Sequence, residues 1–413
     1  MENISYFCIV EKIKRIYIVL TLLTLCRGLA FANNDNVVLN ENNDSTKRIS
    51  LLTCQPGDEV YSLYGHTAIR YQDSENDIDI AINYGMFSFD KPYFIIRFIL
   101  GLTDYEMGII PFDRFMQEYG FTRRGVFEQE LNLSPEDKER FIAAVEKNYL
   151  PENRTYRYNY FYDNCTTRAR DIIEQSVGGS RQITFVKETS EQKSMSYRDF
   201  IHLYNENHPW ARLGNDLLLG LKADRPIDNR QKQFLPENLK DDFQKATVVG
   251  DDKKSGIPLV KTSGWIIGPF EKNVGDSFMI RPIHCALAIL IISVMSVIIE
   301  IKTRKTMWGL DLFFMLTTGL AGIIIFVMLF SQHPTTTLNL QILLLNPITL
   351  FFVYRTTKHS RRKIKDKYWM YALVCIIVFL LGSFIQCYAE GMCVLALALL
   401  ARCLSHIYNK QIV

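Results

Sequence analysis

The chain has 413 residues, of which 47 are Lys or Arg and 44 are Asp or Glu, so its formal net charge is +3. A composition of 48% hydrophobic and 22% charged residues excludes a disordered protein. The charge is unevenly divided, at −7 over residues 33–282 and +8 over residues 283–413. The acidic segment disfavours nucleic-acid binding because a phosphate backbone would repel it. Apolar runs after residue 282 exclude a soluble cytosolic protein.

The N-terminus has the pattern of an export signal. A basic stretch over 12–15 precedes an apolar run over 16–25, and residues 30–32 (Ala-Phe-Ala) fit the small-x-small cleavage pattern. We therefore predict a signal peptide over residues 1–32. An uncleaved anchor is the alternative, but the apolar run is short for a bilayer.

The next segment mixes strand and helix patterns. Residues 33–49, rich in Asn and Asp, indicate a disordered lead-in. Alternating patterns predict strands at 67–71, 78–84 and 125–133, the first two joined by a polar turn at 73–76. Cap and breaker residues predict helices at 111–119, 135–148, 164–178 and 194–245, the last interrupted by prolines. Helices and antiparallel strands in separate blocks predict an α+β domain.

The C-terminal part is predicted to be a membrane bundle of about five helices. Five apolar runs lie at about 283–301, 308–330, 338–354, 369–386 and 392–407. The connections 302–305 and 355–367 are rich in Lys and Arg, whereas 331–337 and 387–391 contain neither. The positive-inside rule then places residues 33–282 outside the cytoplasm. We predict an extracytoplasmic domain over 33–282 and a transmembrane domain over 283–413.

Cys165 is the strongest candidate for a nucleophile. It opens a predicted helix, where the helix dipole and the nearby Arg168 and Arg170 favour thiolate over thiol. The N–H groups of the first turn are candidates to hold an oxyanion, and Asn164 is a candidate for an oxyanion or supporting role. Cys54 is the other cysteine of the exported segment, and a structural Cys54–Cys165 disulfide is the alternative, which an oxidising compartment permits.

His66 is the candidate base, at the start of a predicted strand. If residues 73–76 form the turn, His66 faces Asn83 across the hairpin, and the amide can fix the imidazole tautomer. A one-residue slip would remove this pairing. Tyr64, two residues earlier, is a supporting candidate. The alternative is a capping histidine without a catalytic role.

The order of these motifs resembles the circularly permuted branch of the papain-like NlpC-type superfamily, which includes lecithin:retinol acyltransferase. In that branch the histidine strand precedes the cysteine helix. More closely, the chain resembles the Lnb family of bacterial lipoprotein N-acyltransferases. The matching stretches occur in both halves of the chain, at 52–57, 64–66, 83–87, 158–170, 234–236, 332–334 and 346–347.

The resemblance implies a cysteine acyltransferase that needs no cofactor or metal. Cys165 would take a fatty acyl chain from a membrane phospholipid as a thioester, with His66 as the base. The acceptor would be the free α-amine of the diacylglyceryl-cysteine at a lipoprotein N-terminus. Such a protein would be a multi-pass protein of the bacterial inner (cytoplasmic) membrane, with its N-terminal domain on the periplasmic side.

Several questions stay open at this point. Arg70 and Arg168 are candidates to contact a lipid phosphate, with ordinary salt bridges as the alternative. His333, in a short loop without charge, is a candidate to contact a lipid headgroup or the catalytic domain. Two other functions compete: a membrane-anchored cell-wall cysteine peptidase or amidase, and a non-enzymatic sensor with a structural disulfide. The membrane half favours a lipid substrate, because a cell-wall hydrolase needs at most one anchor.

Overall fold

The structure is a computed structural model that describes residues 46–87, 92–186, 195–250, 256–271 and 279–408. The predicted signal peptide and the first part of the predicted lead-in lie outside these ranges. The end of the lead-in was predicted wrongly, because residues 47–49 belong to a strand whose Ile49 side chain is fully buried.

The N-terminal part is rich in strands. Its strands are β1 (Lys47–Cys54), β2 (His66–Asp73), β3 (Ile78–Met86), β4 (Asp104–Pro111), β5 (Val126–Leu131), β6 (Thr155–Arg157), β7 (Gln182–Thr184), β8 (Thr247–Val249), β9 (Gly256–Pro258) and β10 (Val260–Ile267). Seven of them form an antiparallel sheet in the order β10-β5-β1-β2-β3-β4-β6, and β7-β8-β9 form a small second sheet.

Helices connect the strands and make up the C-terminal part. They are α1 (Phe94–Ile99), α2 (Phe112–Phe121), α3 (Pro135–Tyr149), α4 (Cys165–Ser176), α5 (Tyr197–His202), α6 (Pro209–Leu218), α7 (Pro236–Lys245), α8 (Pro282–Thr303), α9 (Trp308–Met328), α10 (Thr349–Arg361), α11 (Tyr368–Gly382) and α12 (Met392–Tyr408). Short 3-10 helices lie at Leu221–Asp224, Gln231–Phe234 and Leu340–Leu343. The predicted helix start at 135 is confirmed, and the helix predicted from 164 begins at Cys165 with Asn164 as its cap.

Helix α4 packs on the face of the sheet formed by β2 and β3. Ile69 and Ile82 of these strands form one buried cluster with Ala169, Ile172 and Ile173 of the helix. This burial of apolar surface fixes the axis of α4 against the sheet. Cys165, the first residue of α4, therefore lies beside the N-terminal end of β2.

The register of the β2–β3 hairpin differs from the prediction. Asn83 pairs with Ala68 in the backbone ladder, and not with His66. The connecting loop lies one residue later than predicted, because Asp73 stays in β2 and accepts from Glu75 N and Asn76 N. The error shifts the pairing by two residues, so Asn83 keeps the same face of the sheet as His66.

The helical C-terminal part contains two helices long and apolar enough to cross a membrane by length and composition, among the residues described. These are α8 with 22 residues and α9 with 21. The apolar helices α11 and α12 are shorter, with 15 and 17 residues. The third predicted run is not one continuous helix, because Pro347 separates the 3-10 helix Leu340–Leu343 from α10.

The segment after α6 is hydrogen-bonded to the C-terminal part. Gly220 N donates to Thr335 O at 2.8 Å, and Asn339 Nδ2 donates to Leu217 O at 2.8 Å. The close approach of these two segments requires a glycine at position 220, since an added Cβ would lie 2.2 Å from Thr337 O. Backbone and amide hydrogen bonds thus join the sheet-rich part to the loop after α9.

Candidate active site

The start of α4 is held by the side chain of Asn164. Its backbone is extended, and its Oδ1 accepts from the N–H groups of Thr166 and Thr167, both at 2.9 Å. In return, the Thr167 hydroxyl accepts from Asn164 N at 2.9 Å. This reciprocal capping box fixes the first turn and places Cys165 as the first residue of the helix.

The remaining donors of Asn164 are also engaged. Its Nδ2 group donates to Tyr160 O and to Phe234 O, each at 2.8 Å. Of the two roles predicted for Asn164, these bonds serve the supporting one, because none of its donors is left for an oxyanion. The cap occupies the N–H groups of Thr166 and Thr167. It does not occupy the N–H of Cys165, which also belongs to the first turn.

Three side chains predicted to act together lie together. His66 Nε2 donates to Asn83 Oδ1 at 3.0 Å, which leaves Nδ1 as the other ring nitrogen. The imidazole is also hydrogen-bonded to the thiol of Cys165. The thiol accepts a further bond from the N–H of Thr67, and Thr166 Oγ1 lies 3.8 Å from Sγ. The sequence did not indicate the Thr67 contact, since a backbone N–H leaves no residue signature.

Electrostatics favour the ionised form of this pair. Burial opposes a thiolate at Cys165, but the charge of His66, its hydrogen bond and the N–H of Thr67 lower the pKa of the thiol to about 7. Burial likewise opposes an imidazolium, yet the Cys165 thiolate and the Asn83 amide raise the pKa of His66. Near neutral pH, a large fraction of Cys165 is therefore a thiolate, the reactive form of cysteine.

Cys54 is close to the site but is not bridged to Cys165. It pairs with His66 across β1 and β2, and both cysteines are free thiols. Burial raises the pKa of Cys54 to about 12. Cys54 is thus a neutral thiol of the core, and the structural disulfide does not form here.

Glycines allow the backbone to approach the reacting groups. Gly85 has φ +85°, and a Cβ added there would lie 3.7 Å from Cys165 Cβ and 3.4 Å from Tyr158 Cε2. The same point is 3.8 Å from the hydroxyl of Tyr156. That hydroxyl is buried and has no hydrogen-bond partner within the described part of the chain. Gly85, Tyr156 and Tyr158 thus line the space beside the thiol.

The motif at 234–236 contacts both halves of the site. Phe234 O accepts from Asn164, as described above, and Pro236 lies against Gly65. Gly65 has φ +78°, and an added Cβ would lie 2.7 Å from Cys54 O and 3.5 Å from Pro236 Cγ. This segment therefore positions the cysteine helix and the histidine turn relative to each other.

Tyr64 supports the histidine turn from the other side. Its hydroxyl accepts from Asn215 Nδ2 at 2.5 Å and from Asn205 Nδ2 at 3.3 Å. Both amides belong to the α5–α6 region, and burial raises the pKa of Tyr64 to about 12. The phenol is therefore neutral and joins the residues before His66 to the helices that contact the C-terminal part.

The two candidate phosphate ligands are paired with carboxylates. Arg70 Nη2 lies 2.6 Å from Asp79, Nη1 lies 3.3 Å from Glu128, and the guanidinium covers the ring of Phe112. Arg168 forms a two-point ion pair with Asp163 at 2.6 and 2.8 Å, and its guanidinium lies 3.4 Å from the ring centre of Tyr156. These contacts favour the salt-bridge alternative for both residues.

His333 contacts the sheet-rich part of the chain. Its Nε2 donates to Phe98 O at 3.1 Å, and the two rings are 5.9 Å apart. Of the two contacts predicted for His333, this is the one with the catalytic domain.

Comparison with known families gives two matches. The model of the Lnb N-terminal periplasmic domain matches residues 34–192, and that of the Lnb transmembrane domain matches residues 274–411. The first match contains His66, Asn83 and Cys165, and the second contains α8 and α9. No curated protein and no solved structure matches the chain. The two matches identify a membrane protein with a periplasmic domain.

Proposed function

Because the chain belongs to the Lnb family, whose domains suggest a lipoprotein N-acyltransferase-like role, we propose that it acylates lipoproteins through a thioester on Cys165. The acyl donor is a membrane phospholipid, and the acceptor is the α-amine of a diacylglyceryl-cysteine. The observation that carries this proposal is the lowered pKa of Cys165 beside His66, whose tautomer is held by Asn83. A poised thiolate with an oriented imidazole is the arrangement that nucleophilic acyl transfer requires.

In the first half-reaction, Sγ of Cys165 attacks the carbonyl carbon of a phospholipid ester. A C–S bond forms, the C–O bond to the glycerol breaks, and His66 gives its proton to the leaving alkoxide. The products are a thioester on Cys165 and a lysophospholipid. The N–H of Cys165, which the Asn164 cap leaves in the first turn, is the donor we assign to the developing oxyanion.

In the second half-reaction, the lipoprotein α-amine attacks the thioester. A C–N bond forms and the C–S bond breaks, while neutral His66 takes the proton from the amine. The products are an amide and the thiolate–imidazolium pair of the starting enzyme. The whole cycle conserves protons and needs no cofactor.

The architecture we propose keeps both lipid substrates near this site. We propose a circularly permuted papain-like fold for the periplasmic domain, and the order of the histidine strand β2 before the cysteine helix α4 supports it. The helices α8, α9, α11 and α12, with the interrupted third segment, cross the bacterial inner membrane about five times. Hydrogen bonds between the segment after α6 and the loop after α9 support a domain held close to the bilayer. Confining enzyme and lipids to one surface raises their effective concentration.

The test is a mass measurement in a bacterium that lacks its own lipoprotein N-acylation. Wild type, Cys165→Ala and the exposed-cysteine control Cys393→Ala are expressed, and the N-terminal tryptic lipopeptide of an abundant lipoprotein is weighed. We expect a gain of one fatty acyl mass with wild type and Cys393→Ala, and none with Cys165→Ala.

An unchanged diacylated peptide in all three strains, with the proteins folded and exported, would refute the acyltransferase. A cell-wall cysteine peptidase or amidase would then be the better interpretation. With water in place of the amine as the second nucleophile, the same acyl-enzyme chemistry results in hydrolysis. Acylation by Cys165→Ala at the wild-type level would instead refute the thioester.

A further inference from the structure

Helix α1 is short and apolar, and some of its side chains are exposed. Its sequence is Phe-Ile-Ile-Arg-Phe-Ile, and Tyr93 just before it is 77% exposed, while Ile96 is 56% exposed. The one charged residue, Arg97, donates hydrogen bonds to Leu102 O and to the Asp104 carboxylate, the latter at 3.0 Å. Contiguous exposed apolar side chains of this kind mark a surface that contacts another apolar phase.

The same helix is fixed to the end of α9. Gln332 N donates to Leu100 O at 3.0 Å, and His333 donates to Phe98 O. Gly101 has φ +68°, and an added Cβ would lie 3.0 Å from His333 N. The C-terminal end of α1 is therefore in backbone contact with the residues that follow α9, one of the two helices long enough to span a membrane.

The end of α9 also carries exposed apolar side chains. Phe330, just after α9, is 70% exposed and packs edge-on against Phe326, which is itself exposed on the flank of that helix. Tyr93, Ile96, Phe98 and Phe330 are together called the apolar platform. The platform begins where α9, a helix long and apolar enough to cross a membrane, ends.

We propose that the apolar platform contacts the outer leaflet of the membrane. Aromatic and aliphatic side chains at the end of a spanning helix are typical of the interfacial layer of a bilayer. A lipid surface fits better than a protein partner, since Phe326 on the exposed flank of α9 packs against Phe330 of the platform and α9 is long and apolar enough to cross a membrane. This contact holds whether or not the chain is an acyltransferase, so it goes beyond the proposed function.

The platform is also connected to the cysteine. Arg157, in β6, donates to Gln332 Oε1 at 3.1 Å and to Asp104 at 2.9 Å, and Asp104 in turn holds Arg97 of α1. Strand β6 is followed after seven residues by Cys165. Hydrogen bonds and ion pairs therefore join the platform to the segment that leads into the site.

The test uses tryptophan as a depth probe in the full-length protein. Ile96→Trp is compared with the matched control Ile257→Trp, whose residue is 46% exposed on the small sheet. Both variants and the parent are reconstituted into phosphatidylcholine vesicles with or without bromine on the acyl chains. The emission of the parent is subtracted to isolate the added tryptophan.

We expect the emission added at position 96 to be quenched at least twofold by brominated lipid and protected from aqueous iodide. The emission added at position 257 should be quenched by iodide alone. Tyr93→Trp repeats the measurement at the other end of the platform. Brominated-lipid quenching at either position supports the proposal, and iodide quenching without lipid quenching at both positions overturns it. Because no readout involves acyl transfer, failure here would leave the proposed function untouched.

Discussion

Asn83 Oδ1 accepts a hydrogen bond from His66 Nε2 at 3.0 Å although the two residues are not partners in the backbone ladder. The contact is diagonal across the hairpin, from the first residue of β2 to a residue paired with Ala68. Diagonal neighbours on one face are within reach of a ring and an amide. The amide therefore orients the imidazole while the backbone at His66 stays free of β3.

Removal of that amide should slow the reaction without unfolding the protein. In Asn83→Ala, His66 loses the acceptor that fixes its tautomer, and we expect lipopeptide acylation to fall about a hundredfold, the usual scale of a general acid–base contribution. Rates of N-acylation by the purified variant in proteoliposomes check this value. A rate within twofold of wild type, at unchanged melting temperature, would show that His66 needs no orienting group.

The reactivity of Cys165 should follow the lowered pKa of its thiol. Alkylation by iodoacetamide should rise with pH and reach half its maximum near pH 7 in the wild type, because only the thiolate reacts. His66→Ala removes the two largest interactions that lower this pKa and leaves burial, which raises it, against the smaller effects of the Thr67 N–H and the Thr166 hydroxyl. The midpoint should rise towards pH 9, the ordinary value for the thiol, so alkylation at pH 7 should slow by up to about fiftyfold.

That measurement is a mass-spectrometric count of label on the peptide containing Cys165. The label on the peptide containing Cys393, which is exposed, provides the internal control and should not respond to the His66 substitution. An unchanged midpoint for Cys165 would mean that His66 does not stabilise the thiolate.

A methyl group at Gly85 should obstruct the space beside the thiol. Gly85→Ala places Cβ within 3.7 Å of Cys165 Cβ and within 3.4 Å of Tyr158, at a φ of +85°. We expect a loss of about 1 to 2 kcal/mol in stability from the left-handed backbone. Acylation should fall more than alkylation by a small reagent. Gly264→Ala, in open space at an ordinary φ, should change neither rate.

The junction between the sheet-rich part and the C-terminal part should be sensitive to substitution of Gly220. Gly220→Ala forces a Cβ to 2.2 Å from Thr337 O, so the segment after α6 should separate from the loop after α9. We expect faster proteolysis between the two parts and a lower melting temperature. Gly214→Ala, with no atom near its added Cβ, should be neutral or raise stability by up to about 1 kcal/mol. Equal proteolysis of both variants would contradict the role of this junction.

A buried guanidinium should hold three membrane helices together. Arg402 of α12 lies 2.8 Å from Glu300 of α8 and 2.9 Å from Asp311 of α9, and all three side chains are almost fully buried. Arg402→Ala leaves the Glu300 carboxylate without an ion-pair partner and Asp311 with His406 alone, which we expect to cost about 3 to 5 kcal/mol. Unfolding in detergent measures the loss. Adding Glu300→Gln and Asp311→Asn to that variant should recover part of it.

The sequence predicted which residues of the candidate site lie together better than it predicted the sheet around them. Local patterns located the start of α4, the strands β2 and β3, and the residues Cys165, His66 and Asn83. Strand β1 was missed because Ile49 to Cys54 are buried on both faces of a central strand, so they show no alternation of apolar and polar residues.

Partners far apart in the chain were beyond local patterns. The period of a strand places Arg70 on one face but does not indicate Glu128, which is 58 positions away. Likewise, hydropathy found the third apolar run but not its interruption, which depends on Pro347 and on the Asn339 contact with Leu217. Burial and pairing over long distances are set by tertiary packing.

The hydrogen bond from Asn164 Nδ2 to Phe234 O limits how far this protein can be truncated. The matched periplasmic domain ends at residue 192. Yet Asn164, the cap of the cysteine helix, is held by the carbonyl of Phe234, which lies 70 positions after Asn164 in the chain. A fragment that stops at residue 192 would keep the nucleophile and the base. It would lose the contacts of Phe234 and Pro236 that position the two residues, so a fragment that keeps the candidate site intact extends at least to Pro236.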